Sequence, residues 1–344
     1  GAAKAWLYHA LADLDAQLEG HLLFFRGRPE DILPELMQET EADLLTMTRR
    51  YHASGARTDA NISSLLASQN IKTAIISGNL LWEPEEISKP DGTPYKVFTP
   101  FYRRGCLNAA PPRQPLGKPV LNHARKQANG AISLDELGLL SGRAWENTIT
   151  QKWDISAKGG KDRLDAFTNA GDRTGLNDYV EGRNFPAKPN VSRLSPYLRF
   201  GQISAHQAWH QAAENRNSQD KQFDIFRSEL GWREFSYSLL HFNPELKTTP
   251  LQPRFAHFGW IENAAHLKAW QRGQTGYPII DAGMRELYQT GYMHNRVRMI
   301  VGSFLVKNLL LHWHHGEAWF WDCLFDADPA NNSASWQWIA GCGA

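Results

Sequence analysis

Thr290-Gly-Tyr-Met-His294-Asn295-Arg296-Val-Arg298-Met299, then Trp313, then Asp326-Ala-Asp328-Pro-Ala-Asn331-Asn332-Ser-Ala-Ser-Trp336-Gln337-Trp338 is the stretch that decides what this chain folds into. Its surroundings read as buried helix. Yet it carries an Asp-x-Asp, paired asparagines and two arginines among tryptophans. A buried polar group without a partner costs about 1–3 kcal/mol. These groups therefore need partners, and a bound cofactor with a flat, nitrogen-rich ring is one candidate.

Working outward, the 344 residues exceed one ordinary core and predict two domains. Hydrophobic content of 42% and charged content of 21% describe a soluble globular protein. No apolar run approaches the roughly 18 residues of a membrane span, so no membrane association is expected, and no secretory signal opens the chain. Cys106, Cys323 and Cys342 lie far apart and match no metal spacing. A sparse, odd count suits a reducing compartment, and a cytoplasmic protein without a metal is expected. The net charge of +1 neither demands nor excludes nucleic acid. The 13 tryptophans, most from Trp209 onward, fit a large helical core.

The first hundred residues alternate between helix and strand patterns. Trp6–Leu18 is helical in spacing and begins with no cap before it. His21-Leu-Leu-Phe-Phe25 reads as a strand, 29–39 as a helix with Pro29 in its first turn, and 44–48 as a strand. Residues 59–69 then read as a helix and 72–77 as a strand. That alternation predicts a doubly wound parallel sheet. No Gly-x-Gly-x-x-Gly or P-loop accompanies it. Residues 108–130 are rich in Pro, Gly, Lys and Asn and read as a connection. Beyond Leu134 the signals are helical, over 163–170, 204–213, 222–240, 264–272, 276–290 and 296–312. The fold class is thus an α/β domain followed by an all-α domain.

Several constellations could carry chemistry. Ser192, Arg193 and Ser195 gather at a helix start, where backbone N–H groups and hydroxyls suit a phosphate; a plain serine cap is the alternative. Glu229 and Trp232 share a helix face, so a carboxylate and a stacking indole could meet one base. The alternative is an amphipathic helix with a salt-bridged Glu. Asn295, Arg298 and Met299 lie on one face with Arg296 turned elsewhere, and Arg298 could pair with Asp326 or Asp328. His312, His314 and His315 lack the Glu or Cys of a zinc pattern and read as cationic histidines at a helix C-terminus.

In order and spacing, these motifs resemble the photolyase/cryptochrome flavoproteins, most closely class I cyclobutane pyrimidine dimer (CPD) photolyases. Phe98-Thr-Pro-Phe, Ser192-Arg-Leu-Ser195-Pro-Tyr-Leu, Trp232-Arg-Glu-Phe, Thr275-Gly-Tyr-Pro-Ile-Ile-Asp-Ala-Gly-Met-Arg, Met293-His-Asn-Arg-Val-Arg-Met and Trp336-Gln-Trp338 carry the likeness over nearly the whole chain. It implies an α/β antenna domain over 1–105 with its first strand missing, and a linker over 106–130. A helical domain for FAD and the DNA lesion would occupy 131–344, with its C-terminal end missing. The chain thus resembles a fragment cut at both ends.

The resemblance further implies FAD held at its phosphates by Ser192, Arg193 and Ser195, with Tyr179 and Arg183 nearby. Asn295, Arg298, Asp326 and Asp328 would flank its rings, and Asn332 would face flavin N5. Val191 stands where a threonine is frequent. Glu229, Trp232, Met299 and Trp338 would line a CPD flipped out of UV-damaged DNA, with Glu229 toward the pyrimidine carbonyls. Arg233 and Arg296 would meet DNA phosphate. Trp336, Trp313 and Trp260 would relay electrons to the flavin.

The implied enzyme is a monomeric carbon–carbon lyase that uses light and reduced FAD to split the dimer. A second, antenna chromophore is left open between folate, deazaflavin and none. The alternatives are a cryptochrome-like photosensor, opposed by Asn332, and a (6-4) photolyase, opposed by Met299, where those enzymes carry His.

Overall fold

The computed structural model describes residues 1–120, 127–214, 216, 217 and 219–344. Part of the expected linker, residues 121–126, lies outside them. Helix α1 (Ala2–Gln17) opens the chain, and α2 (Pro29–Thr40) follows with its proline at the first turn. Strand β1 (Leu44–Thr48), helix α3 (Ala53–Ala67) and strand β2 (Lys72–Ile76) complete an α/β unit. The strands pair in parallel from Leu44 opposite Lys72 to Thr48 opposite Ile76. Leu45 and Met47, the inward members of β1, pack on Met37 of α2 and on Ile62 and Leu66 of α3. Period-two alternation on the strand thus meets the apolar stripes of two helices.

His21–Phe25 does not form the expected strand. Phe24 makes one antiparallel bridge, to Ile132. The chain arriving from the linker offers one residue of edge, too little for a ladder.

A short turn α4 (Phe98–Pro100) runs into a π-helical turn at Phe101–Gly105. The helical half comprises α5 (Ala144–Thr150), α6 (Ala157–Thr168), α7 (Tyr179–Gly182), α8 (Ser195–Phe200) and α9 (Ala205–Ala213). Then come α10 (Lys221–Phe242), α11 (Ala264–Arg272), α12 (Pro278–Thr290) and α13 (Asn295–Ser303), and finally α14 (Trp313–Cys323) and α15 (Pro329–Ala340). Asp220 caps α10 by accepting from Gln222 and Phe223 N–H.

The helix expected over 296–312 is shorter. It widens into a π-helical turn at Phe304–Asn308 and stops at Leu310, which has a left-handed φ of 53°.

Packing draws its own line through the molecule. Helix α1 packs on α5, α6 and α14, and Leu80, Trp82, Ile87, Phe101 and Tyr102 share one core with α10. A second core is built from α11–α15 around Trp270, Met284, Trp313 and Trp336. Helices α10 and α15 lie against each other across the seam of the two cores. Most of the residues expected at a site, Trp313 and Trp260 apart, line a cavity along that seam.

Candidate functional site

A cavity of about 600 Å³ opens at the seam, walled by Phe226, Leu230 and Phe235 from one core and by Met293, Phe320 and Ile339 from the other. Six arginines line it (Arg183, Arg193, Arg199, Arg233, Arg296 and Arg298) against three side-chain carboxylates, Glu229, Asp326 and Asp328. In a chain with a net charge of only +1, that is a strong local excess suited to an anion.

The loop before α8 supplies the polar floor. Leu194, not a serine, occupies the cap position of α8, and no side chain caps it. Ser192 Oγ accepts from Leu194 N–H at 3.4 Å, while the Ser195 hydroxyl donates to Asp326 Oδ2 at 2.5 Å. The plain serine-cap alternative therefore fails. Arg193 sits at φ 52°, its guanidinium 5.1 Å from the Tyr292 ring centroid, and forms no ion pair among the described residues. It stands at the cavity wall without such a pair, its charge reaching the Glu286 carboxyl and opposing the rise in that group's pKa that burial causes.

Arg298 is fully committed. Its Nε donates to Met293 O at 2.8 Å, and its two terminal nitrogens donate to Asp326 at 3.0 and 2.8 Å. This bidentate fork is the strong form of the interaction. Asp328 caps α15, accepting from Ala330 and Asn331 N–H at 2.8 Å each. The Asp-x-Asp that seemed to require a cofactor is thus satisfied by the protein itself.

Asn332 differs. Its side-chain nitrogen donates to Glu317 O at 3.0 Å, and its oxygen makes no bond among the described residues while the residue lines the cavity. The Asn332 amide is an acceptor held ready. The Glu317 carboxyl beneath it takes the Ser333 hydroxyl, and burial pushes its pKa up. Sequence reasoning missed Glu317; a Glu set among the aromatics of Trp313–Cys323 was the available signal.

At the rim, Arg183 donates to Glu229 at 2.6 Å and lies 5.2 Å from the Tyr179 ring centroid. Arg296 donates to Asn184 Oδ1 at 2.8 Å and approaches Met299 Sδ at 3.3 Å. Trp232, Asn295, Met299 and the largely exposed Trp338 line the same opening.

Between Trp336, buried on Phe320, and Trp338, the Gln337 side chain donates to Leu246 O at 2.7 Å and Thr249 O at 2.9 Å. It also accepts from Leu251 N–H at 2.8 Å. Three successive residues serve core, loop and rim.

Two expectations need correcting. Arg233 does not face a DNA backbone: it donates to Glu234 at 2.9 Å and to Asn79 at 2.5 Å, with its side chain largely buried. Glu234 in turn accepts from Leu81 N–H at 2.8 Å, and burial pushes its carboxyl up to about 7.

His312, His314 and His315 stand at the start of α14, not at a helix C-terminus. His312 caps the N-terminus of α14, its Nδ1 accepting from His314 N–H at 3.2 Å, and burial lowers its pKa to about 4. His294 does the same for α13, lowered to about 4 by burial and then by Arg296, Arg193, Arg298 and Arg183.

Trp313 and Trp260 lie off the cavity. The His312 ring stands 5.2 Å from Trp260 and 5.7 Å from Trp313, and a Cβ on Gly316, one turn along α14, would strike the Trp336 ring.

Residues 1–119 match the family model described as DNA photolyase, and 226–344 the FAD binding domain of DNA photolyase. A deoxyribodipyrimidine photo-lyase of Agrobacterium fabrum is 42% identical, the alignment covering 100% of this chain and 72% of the relative. The structure of a bacterial class III photolyase from Agrobacterium tumefaciens superposes with a TM-score of 0.93 at 42% identity, covering 100% of this chain and 71% of that one.

An archaeal photolyase from Sulfolobus tokodaii, solved with two FAD molecules and discussed for a novel light-harvesting cofactor, gives 0.81 at 28% identity, covering 99% and 72%. Nothing in these likenesses supports class I, and the first structure belongs to class III. At 42% identity over its full length, the chain belongs to the photolyase/cryptochrome family.

Proposed function

We propose that the protein is a deoxyribodipyrimidine photolyase that binds FAD in the seam cavity and splits CPDs presented at its rim. One observation carries this: a single cavity gathers an unpaired arginine and hydroxyls for a diphosphate, a free amide oxygen, and a rim of Glu229, Trp232, Met299 and Trp338. The donor set fits FAD. Arg193, Ser192 and Ser195 are the residues to hold its phosphates, and the Asn332 oxygen is the acceptor for a ring N–H. The fork between Arg298 and Asp326 fixes the adjoining wall. Bound reduced FAD supplies, on absorbing near-UV or blue light, the electron that opens the cyclobutane ring and takes it back afterwards.

The chain's own residues prepare the lesion. Enzymes that work on a base take it out of the stack, photolyases among them, and a damaged pair is the easiest to extrude. Trp232 and Trp338 offer indole surface for the flipped rings. Glu229, ion-paired with Arg183, can only accept hydrogen bonds, so a pyrimidine N–H rather than a carbonyl is its partner. Met299 packs softly against the dimer and transfers no proton, which disfavours (6-4) repair. Arg296 is the rim cation for a DNA phosphate.

Trp336, Trp313 and Trp260 are assigned to electron supply, with residues 1–105 as antenna domain, 106–130 as linker and 131–344 as the flavin and lesion domain. A second chromophore, folate or deazaflavin, would belong with the first of these if the protein carries one at all. The protein is read as a monomer, and three buried free cysteines suit a reducing cytoplasm. Among the described residues no helix is long and apolar enough to cross a membrane.

The test is illumination of the purified, reduced protein with oligonucleotides carrying one CPD or one (6-4) product. Light-dependent loss of the CPD alone is expected. A flavin-loaded, reduced protein that leaves the CPD intact overturns the proposal.

A further inference from the structure

Trp232 does not stand alone at the rim. Phe98 stacks on one face of its indole with ring centroids 3.7 Å apart and planes 10° from parallel. Tyr102 continues the pile with Phe98, offset at 5.6 Å and 8° from parallel. The three rings form one slab, with Phe235 braced edge-on against Trp232 at 6.0 Å. Trp232 lines the cavity and Phe98 does not, so the indole meets the cavity on a side that Phe98 leaves uncovered.

The segment carrying these rings is fastened to α10. Arg103 grips Asp224 with two bonds, at 3.0 and 2.6 Å. Tyr102 lies over Gly231, where an added Cβ would fall 2.5 Å from the ring. Phe101 tucks against Phe235 at 5.1 Å. The π-helical turn at Phe101–Gly105 brings Phe101 and Tyr102 inward together, each about 1% exposed. Such widened turns recur at functional sites.

We propose that Phe98, backed by Tyr102, is a positioning and specificity-determining residue for damaged DNA. It fixes the plane of Trp232 so that a flat, extruded pyrimidine adds as the fourth layer of the pile. The inference rests on the reading of Trp232 as part of the lesion wall. Stacking on a ring that is already clamped orders less on binding than stacking on a free one. Undamaged DNA, held by its backbone, gains nothing from the slab.

The experiment measures dissociation constants for a single-CPD oligonucleotide and its undamaged counterpart in the dark, with flavin content and melting temperature alongside. Phe98→Leu should weaken CPD binding roughly three- to tenfold, the worth of one aromatic pair. Undamaged-DNA affinity and flavin content should stay at parental values, and Phe98→Tyr should restore the CPD preference.

Unchanged CPD affinity in a folded Phe98→Leu protein overturns the inference. So does a parallel loss of CPD affinity, undamaged-DNA affinity and flavin, because that pattern marks general packing. Trp232→Ala separates the premise: if it leaves CPD affinity untouched, the lesion-wall reading fails, and this inference falls with it.

Discussion

Replacing Asp326 by alanine probes the wall on which the cavity depends. Its carboxylate accepts both terminal nitrogens of Arg298, at 3.0 and 2.8 Å, and the Ser195 hydroxyl at 2.5 Å. Its side chain is 5% exposed and that of Arg298 21%. Alanine strands a guanidinium in a mostly dry place, and removing one partner of a buried pair costs roughly 3–5 kcal/mol. Two features favour the lower end. Arg298 keeps its bond to Met293 O, and the adjoining cavity admits water to the vacated space.

A loss of about 3 kcal/mol is expected, which at about 2 °C per kcal/mol for a long chain lowers Tm by about 6 °C. Asp326→Asn keeps the shape and one acceptor oxygen and should lose about half as much. The assay is urea unfolding of flavin-free protein followed by circular dichroism, so that ligand linkage does not mask the difference. Flavin per chain is measured separately by absorbance and should fall for the alanine variant. An alanine protein within about 1 kcal/mol of the parent would show that the fork is not a buried pair in the sense argued.

Two more perturbations follow from the same geometry. His294 and His312 are neutral caps whose pKa is lowered from 6.5 to about 4, so between those values the unfolded chain binds more protons and stability falls as pH drops. Each histidine accounts for up to about 3 kcal/mol of that acid loss. His294→Asn keeps a capping side chain and should flatten the pH dependence of urea unfolding below pH 6.5; an unaltered slope assigns the loss elsewhere.

Gly316→Ala should be as damaging as a core overpacking of about 1–3 kcal/mol. The new Cβ would lie 2.1 Å from the Trp336 ring, which Phe320 at 5.0 Å and Trp270 at 6.3 Å keep from yielding. Lower Tm with slower photoreduction of bound flavin is expected, and parental values for both would refute the packing argument.

Elements with a local signature were legible in advance. The strand Leu44–Thr48 and the helix Ala264–Arg272 carry their own periodicity and breakers, and the structure has both with the bounds expected. What failed depended on neighbours. His21–Phe25 has strand composition but no strand beside it, and the helix after Asn295 ends at a widened turn that only the Gly302-Ser303 pair just before it announces.

At the site, residue types forecast which side chains converge but not how they pair. Asp326 and Asp328 looked alike in sequence, yet one binds Arg298 and the other caps a helix. Arg233 read as a surface cation because Asn79, which accepts from it, and Leu81, whose N–H donates to its partner Glu234, lie about 150 residues away. Phe98 is marked in the sequence only by its Phe-Thr-Pro-Phe motif, and the fold alone sets its ring on Trp232.

The Trp336-Gln337-Trp338 triplet has a consequence for how such a protein can change. Adjacent helical residues point about 100° apart. Gln337, tied to Leu246, Thr249 and Leu251, therefore acts as an indexing pin that sets the rotation of α15 for both tryptophans at once. A substitution at Gln337 that frees the helix to turn would carry the buried indole and the rim indole together, in the same sense about the axis but, being about 200° apart on it, in nearly opposite lateral directions. On the proposed roles of the two tryptophans, selection on reduction and on lesion recognition would act through one shared rotation, and the tripeptide would drift as a block.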